Sequence, residues 1–322
     1  MPRVVRGQQP DDELKLSFDR KVSPTGTWQE SRARWIPTTP NSFGLPAGTS
    51  CPGMTSFCVS CYANRSEQSA GVAELVDHNL TLLRAAGTVD AMIDLLDRMI
   101  WRYRQHADTA GHGPPERLFR IHWDGDFYSL DYAQAWATVI DANDDVQFWT
   151  YTRSFRAPVN VVPILAPLEN LALYLSIDAD NAEAAREVLA AHPRVLGALC
   201  GPDYRRARQL APDLGAVACP ENTGRIPLMA KGSGACVTCR LCPDGRRSIL
   251  FSTSHVEDTT VPVKIRRPDA APEPGVPEER PCLNPECSTI VTWTPGTTRG
   301  RRPDYCGRRC QTRARYLRDR AI

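Results

Sequence analysis

Long apolar runs are missing from this 322-residue chain: no stretch approaches the roughly 18 consecutive apolar residues of a membrane-spanning helix. Residues 1–30 also lack the apolar segment of a secretory signal. A charge excess is missing too, because 39 basic residues face 37 acidic ones and the net charge is only +2. Bulk charge therefore indicates no polyanionic partner, and the sequence predicts a cytoplasmic protein with no membrane partner.

Cysteine, in contrast, is abundant: the chain has 12, and all but Cys200 fall into three groups. In a reducing compartment, clustered cysteines indicate metal or cluster ligation rather than disulfides. Cys200 follows an apolar run and is interpreted as a buried core residue rather than a ligand.

The first group is Cys51-x6-Cys58-x2-Cys61, within a loop. Three thiolates suit a [4Fe–4S] cluster with one iron left open to a substrate or cofactor, whereas four would close the cluster. A zinc site completed by a distant cysteine or by His78 is the alternative.

The second group contains Cys219, Cys236, Cys239 and Cys242, and Pro243 follows it. Its Cys-x2-Cys-x2-Cys run has the spacing of bacterial ferredoxins, where proline commonly follows a ligating cysteine. The spacing favours a second, closed [4Fe–4S] cluster over zinc, with a structural or electron-relay role.

The third group pairs Cys282-x4-Cys287 with Cys306-x3-Cys310, a spacing typical of zinc ribbons and knuckles. Five prolines within residues 267–281 predict a linker without helix or strand. Residues 282–322 are therefore predicted to be a separate module, which zinc stabilises because so few residues bury little core.

The end of this module is strongly basic. Residues 299–320 contain nine arginines against Asp304 and Asp319, and two tyrosines lie among them. Clustered arginine with interleaved aromatic residues indicates DNA or RNA binding. A solvated basic helix is the alternative interpretation.

Strand-like and helix-like segments alternate from Leu118 to Cys219, which predicts parallel α/β structure. At least five such units favour a full or partial βα barrel over residues 1–266, with a doubly wound open sheet as the alternative.

Polar residues recur where three consecutive predicted strands end, at the edge where parallel α/β folds hold their sites. Asp and Gly also favour ordinary turns, so a structural role stays open. The candidate site residues are His122, Asp124, Gly125, Asp126, Thr152, Ser176 and Asp178.

Four motifs together resemble the phage-borne gene product 88 family: CPGMTSFCVSCYA, RIHWDGDFYS followed by YAQAW, YTRS, and a late CVTCRLC. The resemblance covers residues 40–256 approximately and implies a protein of a phage or an infected bacterial host. The C-terminal module resembles short zinc fingers with a Tyr-Cys-x3-Cys motif.

A looser resemblance is to radical S-adenosylmethionine enzymes, which have a three-cysteine loop after the first strand and a Gly-Gly-Glu-like segment ending the second. Here Cys51, Cys58 and Cys61 precede the segment from Asp124 to Asp126, although the x6-x2 spacing departs from the usual x3-x2. The resemblance implies S-adenosylmethionine bound at the open iron, its amino group held by Asp124 to Asp126, and an electron donor as partner. The late cysteines would hold an auxiliary cluster.

The leading hypothesis is therefore an iron–sulfur enzyme of radical S-adenosylmethionine type that acts on nucleic acid or a nucleotide. A non-catalytic iron–sulfur protein that binds nucleic acid or senses redox state is the alternative. A third hypothesis is a metal-dependent hydrolase that uses His122, Asp124, Asp126 and Asp178, with zinc on every cysteine group.

Overall fold

The computed structural model describes residues 3–4, 12–253, 278–293, 305–306 and 310. Within these ranges the helices are α1 (Tyr62–Glu67), α2 (Ala70–Ala86), α3 (Val89–Thr109), α4 (Leu130–Ala142), α5 (Val162–Leu165), α6 (Ala182–Ala191), α7 (Tyr204–Gln209) and α8 (Ala235–Cys239). The strands are β1 (Arg3–Val4), β2 (Ser17–Phe18), β3 (Gly26–Gln29), β4 (Arg34–Pro37), β5 (Leu118–Arg120), β6 (Gln147–Thr152), β7 (Phe155–Arg156), β8 (Val159–Asn160), β9 (Leu171–Ile177), β10 (Leu196–Gly201), β11 (Val217–Ala218), β12 (Met229–Ala230), β13 (Ser233–Gly234), β14 (Ile249–Ser252), β15 (Glu278–Pro281) and β16 (Ile290–Trp293).

Six strands form one parallel sheet in the spatial order β11–β14–β10–β9–β6–β5, and the sheet curls into half a barrel. From β5 through β6 and β9 to β10 the spatial order follows the chain. A doubly wound sheet instead reverses its strand order at a switch point. The prediction of a partial barrel is confirmed, and the doubly wound alternative is wrong.

Residues 41–45 extend this sheet beyond β5. Ser42 bridges Arg120 in parallel, the Phe43 amide donates to the Arg120 carbonyl at 3.1 Å, and the Leu45 amide donates to the Asp124 carbonyl at 3.0 Å. The chain therefore enters the first cysteine loop directly from the sheet edge, at the level where the neighbouring strands end.

Opposite faces of the sheet bury different partners. In β9, Leu173, Leu175 and Ile177 pack with the helices, whereas Ala172 and Tyr174 join a second apolar cluster on the other face. Alternate side chains of a strand point to opposite faces, so a sheet covered on both sides requires continuous apolar strands. Burial of each large aliphatic side chain contributes about 1.5–3 kcal/mol.

The segment between β11 and β14 covers the second face, where Cys242 packs in one cluster with Trp149 and Ile249. The Tyr174 hydroxyl donates to the Leu241 carbonyl at 3.2 Å and lies 3.1 Å from the Arg247 carbonyl. These contacts hold the second cysteine group against the sheet.

The chain divides into two compact units, Met1–Val263 and Lys264–Ile322. In the second unit, β15 pairs antiparallel with β16, so the last four residues of the predicted linker form a strand. That part of the linker prediction is wrong, because a two-stranded hairpin leaves a free edge on each strand, where a proline without an N–H is tolerated. The preceding residues 267–277 lie outside the described ranges, as does most of the basic tail.

No helix in the described part of the chain is both long and apolar enough to cross a membrane.

Candidate functional site

The three cysteines of the first group lie on one compact loop between the sheet edge and α1. Cys58 lies in a 3₁₀ turn, Ser56–Ser60, and Cys61 directly precedes α1. The Cys61 amide donates to the Cys58 carbonyl at 3.0 Å, and the Cys58 amide donates to the Thr55 carbonyl at 3.0 Å. Local hydrogen bonds therefore set the conformation that presents the thiols.

This loop is docked on the carboxyl ends of β6 and β9. Thr55 Oγ1 donates to Asp178 Oδ2 at 2.7 Å, and the Ser56 amide donates to Asp180 Oδ2 at 2.8 Å. Gly53 packs on the backbone of Arg153, where a Cβ would stand 2.1 Å from the carbonyl oxygen. The structure thus brings the first cysteine group to the edge that the sequence predicted for the site.

Asp126 lies beside Cys51 and is held by three donors. Its carboxylate accepts hydrogen bonds from Thr152 Oγ1 at 2.6 Å and from the amides of Phe127 and Arg153, each at 2.7 Å. Burial raises the pKa of Asp126, although these donors oppose the shift. Burial and the charge of Asp126 also raise the pKa of Cys51 to about 12, so a cation at this thiol would have to displace its proton.

Asp124 and Gly125 also contact the segment around the first cysteine group, Asp124 through Glu67 and Gly125 through Ser50. Burial, followed by the neighbouring carboxyl of Glu67 on α1, raises the pKa of Asp124 to about 8. The buried Oδ2 atom of Asp124 has no hydrogen-bond donor among the described residues. A proton on Asp124 makes it a donor, and we interpret the pair as sharing that proton. Gly125 has φ of +77°, and a Cβ there would stand 2.6 Å from Ser50 Oγ.

His122 points into the core, away from the thiols. Its ring lies 4.5 Å from the Phe127 ring and 6.1 Å from the Phe43 ring, between centroids, and Nε2 is 2.9 Å from the Tyr132 hydroxyl. Burial lowers the pKa of His122 to about 3. The imidazole is therefore neutral and packed among aromatic side chains, which does not support its predicted catalytic role.

Arg153 is the site residue that sequence reasoning left out. Its guanidinium pairs with the Asp178 carboxylate, donates to the Ser176 carbonyl at 3.1 Å and lies 5.7 Å from the centre of the Phe57 ring. Burial disfavours its charge, but the nearby acidic side chains, first Cys200 and then Asp178, hold the pKa of Arg153 above the usual value. Ser176 contributes to this arrangement through its carbonyl.

Cys200 is half-buried rather than part of the buried core that the sequence predicted, and Arg153, Asp178 and Cys58 lie near enough to influence the pKa of its thiol. His78, the alternative zinc ligand, instead lies with Nε2 2.9 Å from the Glu13 carbonyl oxygen.

The four cysteines of the second group line a single small cavity with Pro220, Glu221, Ala235, Leu241 and Ile249. Burial raises the pKa of each thiol; neighbouring thiols of the group raise it further at Cys236, Cys239 and Cys242, and the Glu221 carboxylate does so at Cys219. The Tyr151 hydroxyl donates to Cys242. Lys21, whose Nζ lies 2.7 Å from Glu221 Oε2, is close to Cys236.

The third group has its four sulfur atoms close together. The ligand atoms of Cys282, Cys287, Cys306 and Cys310 all lie within 4.8 Å of one another, the one such set of three or more His, Cys, Asp or Glu found among the described residues. Cys306 Sγ is 3.6 Å from Cys287 Sγ and 3.3 Å from Cys310 Sγ. A tetrahedral zinc with Zn–S bonds of 2.3 Å separates its sulfurs by about 3.8 Å. This group could hold a single metal ion.

Comparison with known proteins places the main unit in a family. The family model described as "Gene product 88" matches residues 14–245. The Gene 88 proteins of Mycobacterium phages L5 and D29 are each 41% identical to the chain, over 245 and 247 residues. Each alignment takes in 98% of the phage protein but 75% of this chain. No solved structure matches.

Both of the first two cysteine groups lie within the matched residues, whereas the third lies beyond them. The matched residues therefore include both of these cysteine groups and five of the six strands of the large sheet, whereas β14 and the C-terminal unit lie beyond residue 245. On the extent of the family match and the identity to both phage proteins, the chain belongs to the gene product 88 family.

Proposed function

We propose that the chain is an iron–sulfur enzyme of radical S-adenosylmethionine type, with its first cluster on Cys51, Cys58 and Cys61. The observation that carries the proposal is the position of this loop. It follows the edge segment 41–45 directly and docks on the carboxyl ends of β6 and β9 through Thr55 and Gly53. In parallel barrels the catalytic groups lie at this edge.

The donor set of the first group fits a cubane. Its three thiols do not meet the 4.8 Å spacing that the C-terminal group meets within the described residues. One ion draws its sulfurs close together, whereas a [4Fe–4S] cluster binds each thiolate at a different iron and so needs wider spacing. Three loop thiolates also leave one iron available to another ligand.

The protein's own part is positioning and exclusion of water. Asp126, held by Thr152 and the Arg153 amide, fixes the strand end against Cys51, and Asp178 fixes the loop through Thr55. The Arg153 guanidinium offsets negative charge on the thiolates. If S-adenosylmethionine were bound there, a reduced cluster would supply one electron to its sulfonium, which would cleave a carbon–sulfur bond.

The second group fits a closed cluster, because four thiols, that of Cys242 buried and the other three half-buried, line one cavity. Hydrogen bonds to ligand sulfur tune the potential of such clusters, and the Tyr151 hydroxyl is placed to do so at Cys242. We propose that this cluster relays electrons from an external donor or holds substrate.

Anaerobic purification tests both clusters, with about eight irons per chain and absorbance near 400 nm as the expected result. Dithionite with S-adenosylmethionine should then yield 5′-deoxyadenosine, and Cys58→Ala should not. Iron without this product would favour the redox-sensing alternative, and zinc in place of iron would refute the proposal. The hydrolase hypothesis loses support from the core position of His122.

For the C-terminal unit we propose a structural zinc and a role in docking DNA or RNA. The zinc proposal rests on the sulfur distances around Cys306, and the docking proposal rests on nine arginines in residues 299–320. Deletion of residues 264–322 should remove about one zinc per chain and abolish salt-sensitive oligonucleotide binding. Unchanged binding would refute the docking role.

A further inference from the structure

Cys200 occupies a defined place at the carboxyl edge of the sheet. It is the penultimate residue of β10, and its side chain shares a face with Ala198 in the second apolar cluster. β10 pairs with β9 in the register Leu199↔Ile177, so the next residues, Cys200 and Asp178, lie side by side. Neighbouring strands are about 4.8 Å apart. Cys200 is therefore adjacent to the aspartate that anchors the first cysteine loop.

The same aspartate leads directly to Cys58. Thr55 Oγ1, which donates to Asp178 Oδ2 at 2.7 Å, is 3.7 Å from Cys58 Sγ. Arg153, paired with Asp178, interacts with the thiols of both Cys58 and Cys200. Two strand ends and the loop thus bring a fourth, half-buried thiol to the aspartate that anchors the first group.

We propose that Cys200 is the fourth thiolate of the cluster on Cys51, Cys58 and Cys61, and that it closes the otherwise open iron in the resting protein. This inference rests on the proposed function, since it requires a cluster at the first group. An incoming cofactor would bind that iron only by displacing Cys200, so the fourth thiolate protects and regulates the site.

Neither ligation of Cys200 to iron nor its displacement involves a redox step. On ligation the Cys200 S–H bond breaks, its proton passes to solvent, and an S–Fe bond forms. On displacement the S–Fe bond breaks and the thiolate takes a proton back from solvent. Burial raises the pKa of the free Cys200 thiol to about 11, but a coordinating thiol is deprotonated outright by the charge of the metal. Arg153 offsets the additional negative charge.

The test uses anaerobic full-length protein and ¹³C-cyanide, a ligand that needs an open iron. In the dithionite-reduced wild type we expect no ¹³C hyperfine coupling by electron–nuclear double resonance. In Cys200→Ala we expect about one cyanide-coupled cluster per chain. Equal coupling in both proteins, or coupling in neither, would overturn the assignment of Cys200.

Two further variants make the result specific. Cys200→Val fills a similar volume and has no atom that can ligate iron, so it should also bind cyanide even if the alanine variant folds badly. Phe251→Leu changes the residue of β14 that pairs with Cys200, and its cluster should show no ¹³C-cyanide coupling, like that of the wild type. Absence of iron from the wild type would refute the proposed function itself, whereas about eight irons with equal cyanide coupling would refute only the role of Cys200.

Discussion

The carboxyl pair of Asp124 and Glu67 makes the stability of the main unit depend on pH in a defined direction. The pKa of Asp124 is raised from 3.8 to about 8 by burial and by the Glu67 carboxyl. The folded protein therefore keeps a proton that the unfolded chain releases above pH 4. A group with a raised pKa in the folded state binds more protons when folded, so stability falls as the pH rises from about 4 to about 8.

The size of the effect follows from the same shift. Each pH unit in this window costs about 1.4 kcal/mol, which gives on the order of 4 kcal/mol between pH 4 and pH 7. Asp124→Asn replaces the protonated acid with an amide that can still donate to Glu67, and it removes the titration. We expect its thermal unfolding midpoint to exceed that of the wild type by on the order of 10 °C at pH 7, and to converge with it near pH 4.

The assay is thermal unfolding of both proteins from pH 4 to pH 8 under identical anaerobic conditions. Glu67→Gln is the matched variant. In the wild type the Ala47 amide donates to Glu67 Oε1 at 2.6 Å, and the glutamine carbonyl can still accept this hydrogen bond. The glutamine carries no charge that would repel the Asp124 carboxylate. Because burial is the larger cause of the raised pKa of Asp124 and is unchanged in this variant, Glu67→Gln should weaken the pH dependence, whereas Asp124→Asn should remove it. Parallel curves for wild type and Asp124→Asn would show that Asp124 is ionised at neutral pH and would refute the shared proton.

Three other substitutions probe the cysteine groups. Gly53→Ala places a Cβ 2.1 Å from the Arg153 carbonyl oxygen, so the first group should lose its roughly four irons while the second keeps its own; unchanged total iron would contradict the docking. Thr55→Val removes the 2.7 Å bond to Asp178 and should lower the free energy of unfolding by about 1–3 kcal/mol, whereas Thr55→Ser should not. Cys287→Ser should remove about one zinc per chain, measured by elemental analysis, and leave iron unchanged; retained zinc would exclude Cys287 as a ligand.

Spacing along the chain was enough to predict the cysteine groups and the α/β architecture. The Cys-x2-Cys-x2-Cys run keeps three thiols of the second group close by its short intervals, and the structure places Cys219 with them around one cavity. The alternation of apolar strands with helices likewise predicted the parallel sheet, because both depend on local periodicity. Asp126 and Thr152 were found from their positions at strand ends, and they lie in direct contact at 2.6 Å.

The face on which a side chain lies could not be predicted in the same way. His122 and Asp126 are four residues apart in one strand-end segment, yet His122 packs into the aromatic core and Asp126 faces Cys51. His122 has φ of 57°, a left-handed backbone conformation that sequence periodicity does not predict for histidine.

The sequence by itself determined how the cysteines group along the chain and that a parallel sheet would present polar groups at one edge, because short spacing and periodicity are local properties. Only the tertiary structure decided that Cys200 and the loop carrying Cys58 both meet Asp178, that Arg153 pairs with this aspartate, and that Glu67 faces Asp124. Cys58 and Cys200 are separated by more than a hundred residues. The physical reason is strand register: the pairing of β10 with β9 and the docking of the loop on Asp178 set these neighbours, and neither is encoded in local spacing.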